Sequence, residues 1–230
     1  MVATAQEFIQ KLSERHGVIV IGGLAVIAHG FNRPTKDADI WLEPMDSPSE
    51  WAATIQETCR CFSGLTIHTL PEWRMVSGPA VAEAAAEIGM VRIMGLDCPV
   101  DVFREPNEFA ASSFADVLSR CTRNSDSTWL PDPIDLAISK DLTNRDKDAH
   151  DILFLESIAR NRWIEILPSA TREQAESLFA RFVDWQTCQA AMSNPDQTVR
   201  EMAIAYLREF AREGDPFSQA ILDGREIPPP

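Results

Sequence analysis

The sequence has no basic arm. Its formal net charge is −14. Residues 1–130 carry 10 Lys/Arg against 17 Asp/Glu, and residues 131–230 carry 11 against 18, so neither part is basic. Gripping a nucleic-acid backbone without regard to sequence needs a surplus of Lys and Arg on one face. The acidity counts against such a binder and leaves room only for a local patch. Long apolar runs are missing too. None approaches the ~18–20 residues of a membrane-spanning helix, and no leader is expected before the first helical pattern. The expectation is a soluble, cytoplasmic protein with no membrane partner. Cysteines are few and odd in number, at five, with no CxxC pair. Cys59 and Cys61 are the one close pair, and His68 is too isolated to complete a zinc set with them. Buried, reduced thiols are expected at Cys59, Cys61, Cys98, Cys121 and Cys188. There is no internal repeat, and 10 Gly and 15 Pro in 230 residues do not indicate low complexity.

What remains is 45% apolar, enough for a core without disulfide staples. The chain is organised around IGGLAVIAHGFNRPTKDADIWL, residues 21–42. Val18 to Ile21 is a β-branched run suited to a strand buried on both faces. Gly22-Gly23 ends it where the backbone turns tightly or meets a ligand. Leu24 to His29 reads as a short helix whose open N–H groups suit phosphate, with Gly30 as its cap. Asp37 to Leu42 alternates. Asp37, Asp39 and Trp41 share one face, and Ala38, Ile40 and Leu42 the other. Carboxylates at i and i+2 on a strand lie about 6–7 Å apart at Cα and can converge on one hard cation or bridge two. The plainer reading is a turn, a helix and an edge strand with solvated acids. Aspartates are poor strand formers, so something must offset them.

The rest of the chain frames this stretch. Ala5 to His16 is an amphipathic helix with Phe8, Ile9 and Leu12 on its apolar face. Ser47-Pro48 opens a helix to about Cys59, Leu65 to Leu70 a strand, and Pro79 to Glu87 an alanine-rich helix. Met90 to Met94 and Cys98 to Phe103 read as a hairpin around Gly95-Leu96-Asp97. Asp101 sits inside CPVDVF, either on a solvent face or as a third carboxylate beside Asp37 and Asp39. Pro106 to Arg120 reads as a helix, and residues 121–131 as loop and short strand. Asp132-Pro133 opens a helix bearing Lys140, and the charged run Arg145 to Asp151 leads into another. Thr171 to Gln174 forms a capping box, with Ala175, Leu178, Phe179, Phe182 and Val183 on one face. Asn194-Pro195 and Asp215-Pro216 open two more helices, and the tail at 228–230 reads as disordered.

Gly22-Gly23, a helix, Arg33, Thr35 and Asp37-x-Asp39 together resemble the nucleotidyltransferase superfamily, with its DNA polymerase β-like fold. The variant is similar to bacterial toxin-type proteins of type IV toxin–antitoxin (abortive-infection) systems. Elsewhere in the superfamily serine often stands where this chain has Gly23. The resemblance implies an α/β (α+β) core over residues 1–130, a mixed sheet of four or five strands flanked by helices. Residues 131–230 would then be a helical part completing the cleft. It implies NMP transfer from an NTP to an acceptor hydroxyl on a tRNA or RNA 3′ end, a protein or a small molecule, with an antitoxin protein as partner. Asp37, Asp39 and Asp101 would hold two Mg²⁺, with Mn²⁺ as an alternative. Gly22, Gly23, Arg33 and Lys36 would meet the nucleotide. A helical lysine followed by an Arg-x-Lys-Asp-x-x-Asp-like stretch would add Lys140 or Lys147 and Asp148 or Asp151, with Lys140 and Asp148 preferred. Two other readings stay open: a non-catalytic nucleotide-binding module of the same fold, and a phosphotransferase acting on the γ-phosphate.

Overall fold

The structure, a computed structural model, describes residues 2–106, 109, 113–143 and 145–225, with the side chain of Lys147 outside the description. Its elements run Ala5–Ser13 (α1), Val18–Ile21 (β1), Gly22–Ala28 (α2), Ala38–Leu42 (β2), Pro48–Arg60 (α3), Thr66–Thr69 (β3), Arg74–Val76 (β4), Pro79–Glu87 (α4), Met90–Met94 (β5) and Val100–Phe103 (β6). They continue through Phe114–Leu118 (α5), Thr122–Arg123 (β7), Trp129–Leu130 (β8), Pro133–Leu142 (α6), Ala149–Ile166 (α7), Arg172–Phe179 (α8), Trp185–Ala191 (α9), Gln197–Arg212 (α10) and Pro216–Leu222 (α11). Two compact units are present, Met1–Leu155 and Glu156–Pro230, and the division falls inside α7. The sequence reading put the change near residue 130. In the structure α6 and the charged run after it belong to the first unit.

The first unit is a mixed sheet with helices, as expected. The sheet has eight strands in the order β4-β3-β5-β6-β2-β1-β8-β7, rather than four or five. The surplus is short: β4 has three residues and β7 and β8 two each, too few to show a period-2 pattern in sequence. β2 pairs antiparallel with β1 and parallel with β6, which places Asp39 directly across from Asp101.

Local chemistry explains the helices on one face. Thr4 and Glu7 close a capping box on α1, Ser47 caps α3 ahead of Pro48, and Pro79 opens α4. Phe8, Leu12, Trp51, Ile55, Val81 and Ala85 from these helices are buried in one cluster with Ala38, Ile40, Leu42, Val91, Ile93, Val100 and Val102 from the sheet. The opposite face carries a second cluster of Ile19, Ile21, Trp41, Phe109, Phe114 and Val117. The alternation of β2 is therefore real. Full burial of Ile40 and Leu42 is worth about 1.5–3 kcal/mol each. That exceeds the strand penalty of an aspartate, which is under about 1 kcal/mol.

Some expectations are corrected. α5 covers only Phe114–Leu118, capped by Ser113 with Asp116, and residues 107, 108 and 110–112 of the longer expected helix are outside the description. α8 ends at Phe179, so Phe182 and Val183 are not on it. Asp196, not Asn194-Pro195, caps α10. The Asn194 amide instead donates to the carbonyls of Leu167 and Ala170, at 2.7 and 2.9 Å. The tail at 228–230 lies outside the described residues. In the second unit, Phe179 lies tilted against Tyr206 and Trp185 stacks on Phe217. No helix among the described residues is long and apolar enough to cross a membrane.

The cysteines are all reduced, but their burial differs from expectation: Cys188 is buried, Cys59, Cys98 and Cys121 half-buried, and Cys61 exposed. Burial pushes the thiols of Cys59, Cys121 and Cys188 up to about 12, so none supplies a thiolate near neutral pH. Both His68 nitrogens are engaged, Nδ1 donating to the Trp73 carbonyl at 2.7 Å and Nε2 bonded to Thr66 Oγ1 at 2.9 Å.

Candidate functional site

β1 delivers the chain to Gly22, where φ is +59°. A Cβ built on Gly22 would stand 2.0 Å from Asp39 Oδ2. The register explains the approach, because Ile21 pairs with Asp39 across the antiparallel ladder and the next residue turns over that carboxylate. Gly22→Ala should therefore cost about 1–2 kcal/mol of left-handed backbone strain plus the clash. Denaturant midpoints of Gly22→Ala, Asp39→Ala and the double variant test this. The double variant should recover the part of the clash that the carboxylate makes, since the Cβ that alanine keeps would still stand 2.8 Å away, and strict additivity would remove the carboxylate as the cause.

Gly23 is confined differently. A Cβ there would lie 2.8 Å from Thr35 Oγ1 and 3.1 Å from Arg33 Nη2. Thr35 Oγ1 in turn donates to the Asp37 carbonyl at 3.0 Å. The space a serine would need at position 23 is thus held by Thr35, which ties down the residue before β2.

Asp37, Asp39 and Asp101 each offer one oxygen, and these oxygens lie within 4.8 Å of one another. This is the one group of three or more metal-capable side chains among the described residues. Asp37 stands just before β2, and Asp39 and Asp101 face each other on β2 and β6. An all-carboxylate set suits a hard divalent cation and contains no softer His or Cys donor.

The same pocket, with a volume of about 570 Å³, is lined by Gly22, Gly23, Arg33, Lys36, Asp37, Asp39, Asp101, Lys140 and Asp148. All the residues preferred from sequence therefore meet in one cavity. Lys36 stands exposed at it. Asp151 does not line it, but Asp151 Oδ2 accepts from Arg33 Nη2 at 2.8 Å and pairs with Lys140 Nζ at 2.9 Å.

Lys140 is a buried ion. Its Nζ lies between Asp151 and Asp148, 3.3 Å from the latter, and its side chain is 5% exposed. Arg145 Nε and Thr143 Oγ1 also donate to Asp148, at 2.8 and 3.2 Å. Burial pulls the Asp148 carboxyl upward, but Lys140 and Arg145 outweigh it, so it sits below the usual carboxylate range. The more open cations of the pocket are Lys36, which is exposed, Arg33, 31% exposed, and Arg145, 50% exposed. The side chain of Lys147 lies outside the described residues.

Two pocket residues escaped the sequence reading. Thr143 shares Asp148 with Arg145. Arg92, on β5, is cross-strand to Asp101 and clamps it with two bonds, Nε to Oδ1 at 2.6 Å and Nη2 to Oδ2 at 2.7 Å. Its only sequence signal was a cation inside the apolar run MVRIM, on the strand expected to pair with the one carrying Asp101.

No protein-family model matches the chain, and no curated protein matches it significantly.

Proposed function

We propose that the chain is a divalent-cation-dependent nucleotidyltransferase, moving an NMP from an NTP to an acceptor hydroxyl. The observation that carries this reading is the meeting of three carboxylates with Arg33, Lys140 and Arg145 in one pocket. A nucleoside triphosphate with its cation needs both signs of charge together. Asp37, Asp39 and Asp101 would hold Mg²⁺ or Mn²⁺. Bound cations would draw the attacking and leaving oxygens together and offset their charge.

The other steps belong to the chain. Gly22 and Gly23 let the backbone approach phosphate oxygens. Arg33 and Arg145 face the polyphosphate, held by Asp151 and Asp148, while buried Lys140 anchors both carboxylates. Arg33 Nε is buried without a hydrogen-bond partner among the described residues, a donor that an anion would satisfy after a small side-chain shift. The acceptor oxygen attacks the α-phosphorus, the bond to pyrophosphate breaks, and the hydroxyl proton passes to a site carboxylate. Asp101 is suited to that task once Arg92 loosens its hold.

One observation favours the non-catalytic module instead. Arg92 already donates one hydrogen bond to each Asp101 oxygen, so the carboxylate has a counter-ion without a metal. Label transfer separates the readings. Purified protein with Mg²⁺ is given α-labelled or γ-labelled NTP and an acceptor pool of lysate plus total tRNA, beside an Asp37→Ala/Asp39→Ala variant. Transfer of α-label alone, lost in the variant, supports nucleotidyl transfer and identifies RNA, protein or small molecule as acceptor. Transfer of γ-label points to a phosphotransferase. NTP binding by calorimetry with no transfer of either label favours the module.

A further inference from the structure

Three carboxylate oxygens within 4.8 Å repel one another strongly when all are ionised. Arg92 meets that repulsion. Its Nη2 lies 3.8 Å from Asp37 Oδ2 while its fork grips Asp101, and its side chain is only 20% exposed. The guanidinium cannot make room by losing its proton, because arginine does not deprotonate in proteins. On its other side Arg92 stacks over the Trp73 ring, 3.7 Å from its centroid. The Trp73 backbone is held by a bond from His68 Nδ1 to its carbonyl. The cation thus has two footholds, a carboxylate and an aromatic face.

We propose that Arg92 is the built-in counter-ion of the carboxylate cluster, and that a divalent cation binds there only by displacing the guanidinium from Asp101. Each Asp101 oxygen keeps a second lone pair, so the competition is electrostatic rather than steric. A doubly charged ion held by Asp37, Asp39 and Asp101 would sit within a few ångströms of a fixed positive charge. Arg92 therefore sets the threshold of cation binding, and Trp73 retains the guanidinium when it lets go. This rests on the metal-holding part of the proposed function and not on the transfer reaction.

The test is Mn²⁺ binding by the full chain, followed through the electron paramagnetic resonance of the unbound ion. Wild type, Arg92→Gln, Arg92→Lys and Asp39→Asn are compared. Arg92→Gln is expected to bind about tenfold tighter than wild type or more, the scale of one nearby charge in a partly screened site. Arg92→Lys, which keeps the charge but not the fork, should fall between. Asp39→Asn should bind more weakly than wild type. A merely structural Arg92 predicts the opposite sign, since its loss would disorder Asp101 and weaken binding. Equal or weaker binding by folded Arg92→Gln, with Asp39→Asn impaired, overturns the inference and leaves the metal site standing. Indistinguishable binding by wild type and Asp39→Asn overturns both. A second measurement needs no variant. On Mg²⁺ addition the Arg92 Nε–H resonance of wild type should lose the signature of its hydrogen bond, and an unmoved resonance at saturation overturns the inference.

Discussion

Asp39→Ala is expected to reduce label transfer by a factor on the order of 10³ or more while leaving the protein folded. Asp39 is the middle member of the cluster. It pairs in register with Asp101 on one side and with Ile21, the residue before Gly22, on the other. Its removal leaves two carboxylates that no longer surround a shared point. The folding cost should be small, because the apolar alternation of β2 does not involve it and one like charge leaves a crowded group. Circular dichroism and the thermal midpoint should stay near wild type, within a few degrees. A folded Asp39→Ala that transfers label at the wild-type rate would remove the carboxylate cluster from the mechanism. A variant that fails to fold would show that Asp39 is structural, and the isosteric Asp39→Asn then carries the activity test.

The cluster was legible because its sequence signals are local. Two glycines after a buried strand, then two carboxylates at i and i+2, imply a turn close to a carboxylate face. Asp101 was legible by alternation within CPVDVF, although its register with Asp39 needed the parallel pairing of β2 and β6. Other features have no local signal. Arg33 and Asp151 are 118 residues apart in sequence, and nothing in either neighbourhood encodes their 2.8 Å bond. Arg92 could have been flagged as a cation in an apolar strand, but its partner depended on the hairpin connection. That connection spans residues 95–99 rather than the three residues Gly95 to Asp97. Asp97 in it bonds the amides of Ala5 and Cys98, which no turn rule suggested. Strands β4, β7 and β8 were hidden by shortness. The cap of α10 was misread because Asn194-Pro195 and Asp196 are both good openers, and tertiary bonds to residues 167 and 170 claimed Asn194.

The second large effect concerns stability. Lys140→Met, which keeps the length of the side chain and removes its charge, is expected to destabilise the protein by about 3 kcal/mol at neutral pH. Removing one partner from a buried ion pair typically costs about 3–5 kcal/mol, because the other charge is left uncompensated. The low end applies here, since Asp151 keeps Arg33 and Asp148 keeps Arg145 and Thr143. In a unit of this size that corresponds to roughly 6–12 °C in thermal midpoint. The pH dependence adds a signature that simple loss of packing would not give. In the wild type, Asp148 is held below its ordinary range by Lys140 and Arg145 against the opposing pull of burial. Its stabilising contribution is complete above the unfolded value of about 3.9 and is lost as pH falls through the lower folded value. Without Lys140, burial weighs more heavily, the folded value rises, and Asp148 takes up its proton earlier on acidification. The stability gap between wild type and Lys140→Met should therefore shrink as pH is lowered from 7 toward 3. Urea denaturation at several pH values measures that gap. A gap independent of pH would assign the loss to packing of the lysine stem, and Asp148 would not be the group that Lys140 holds charged.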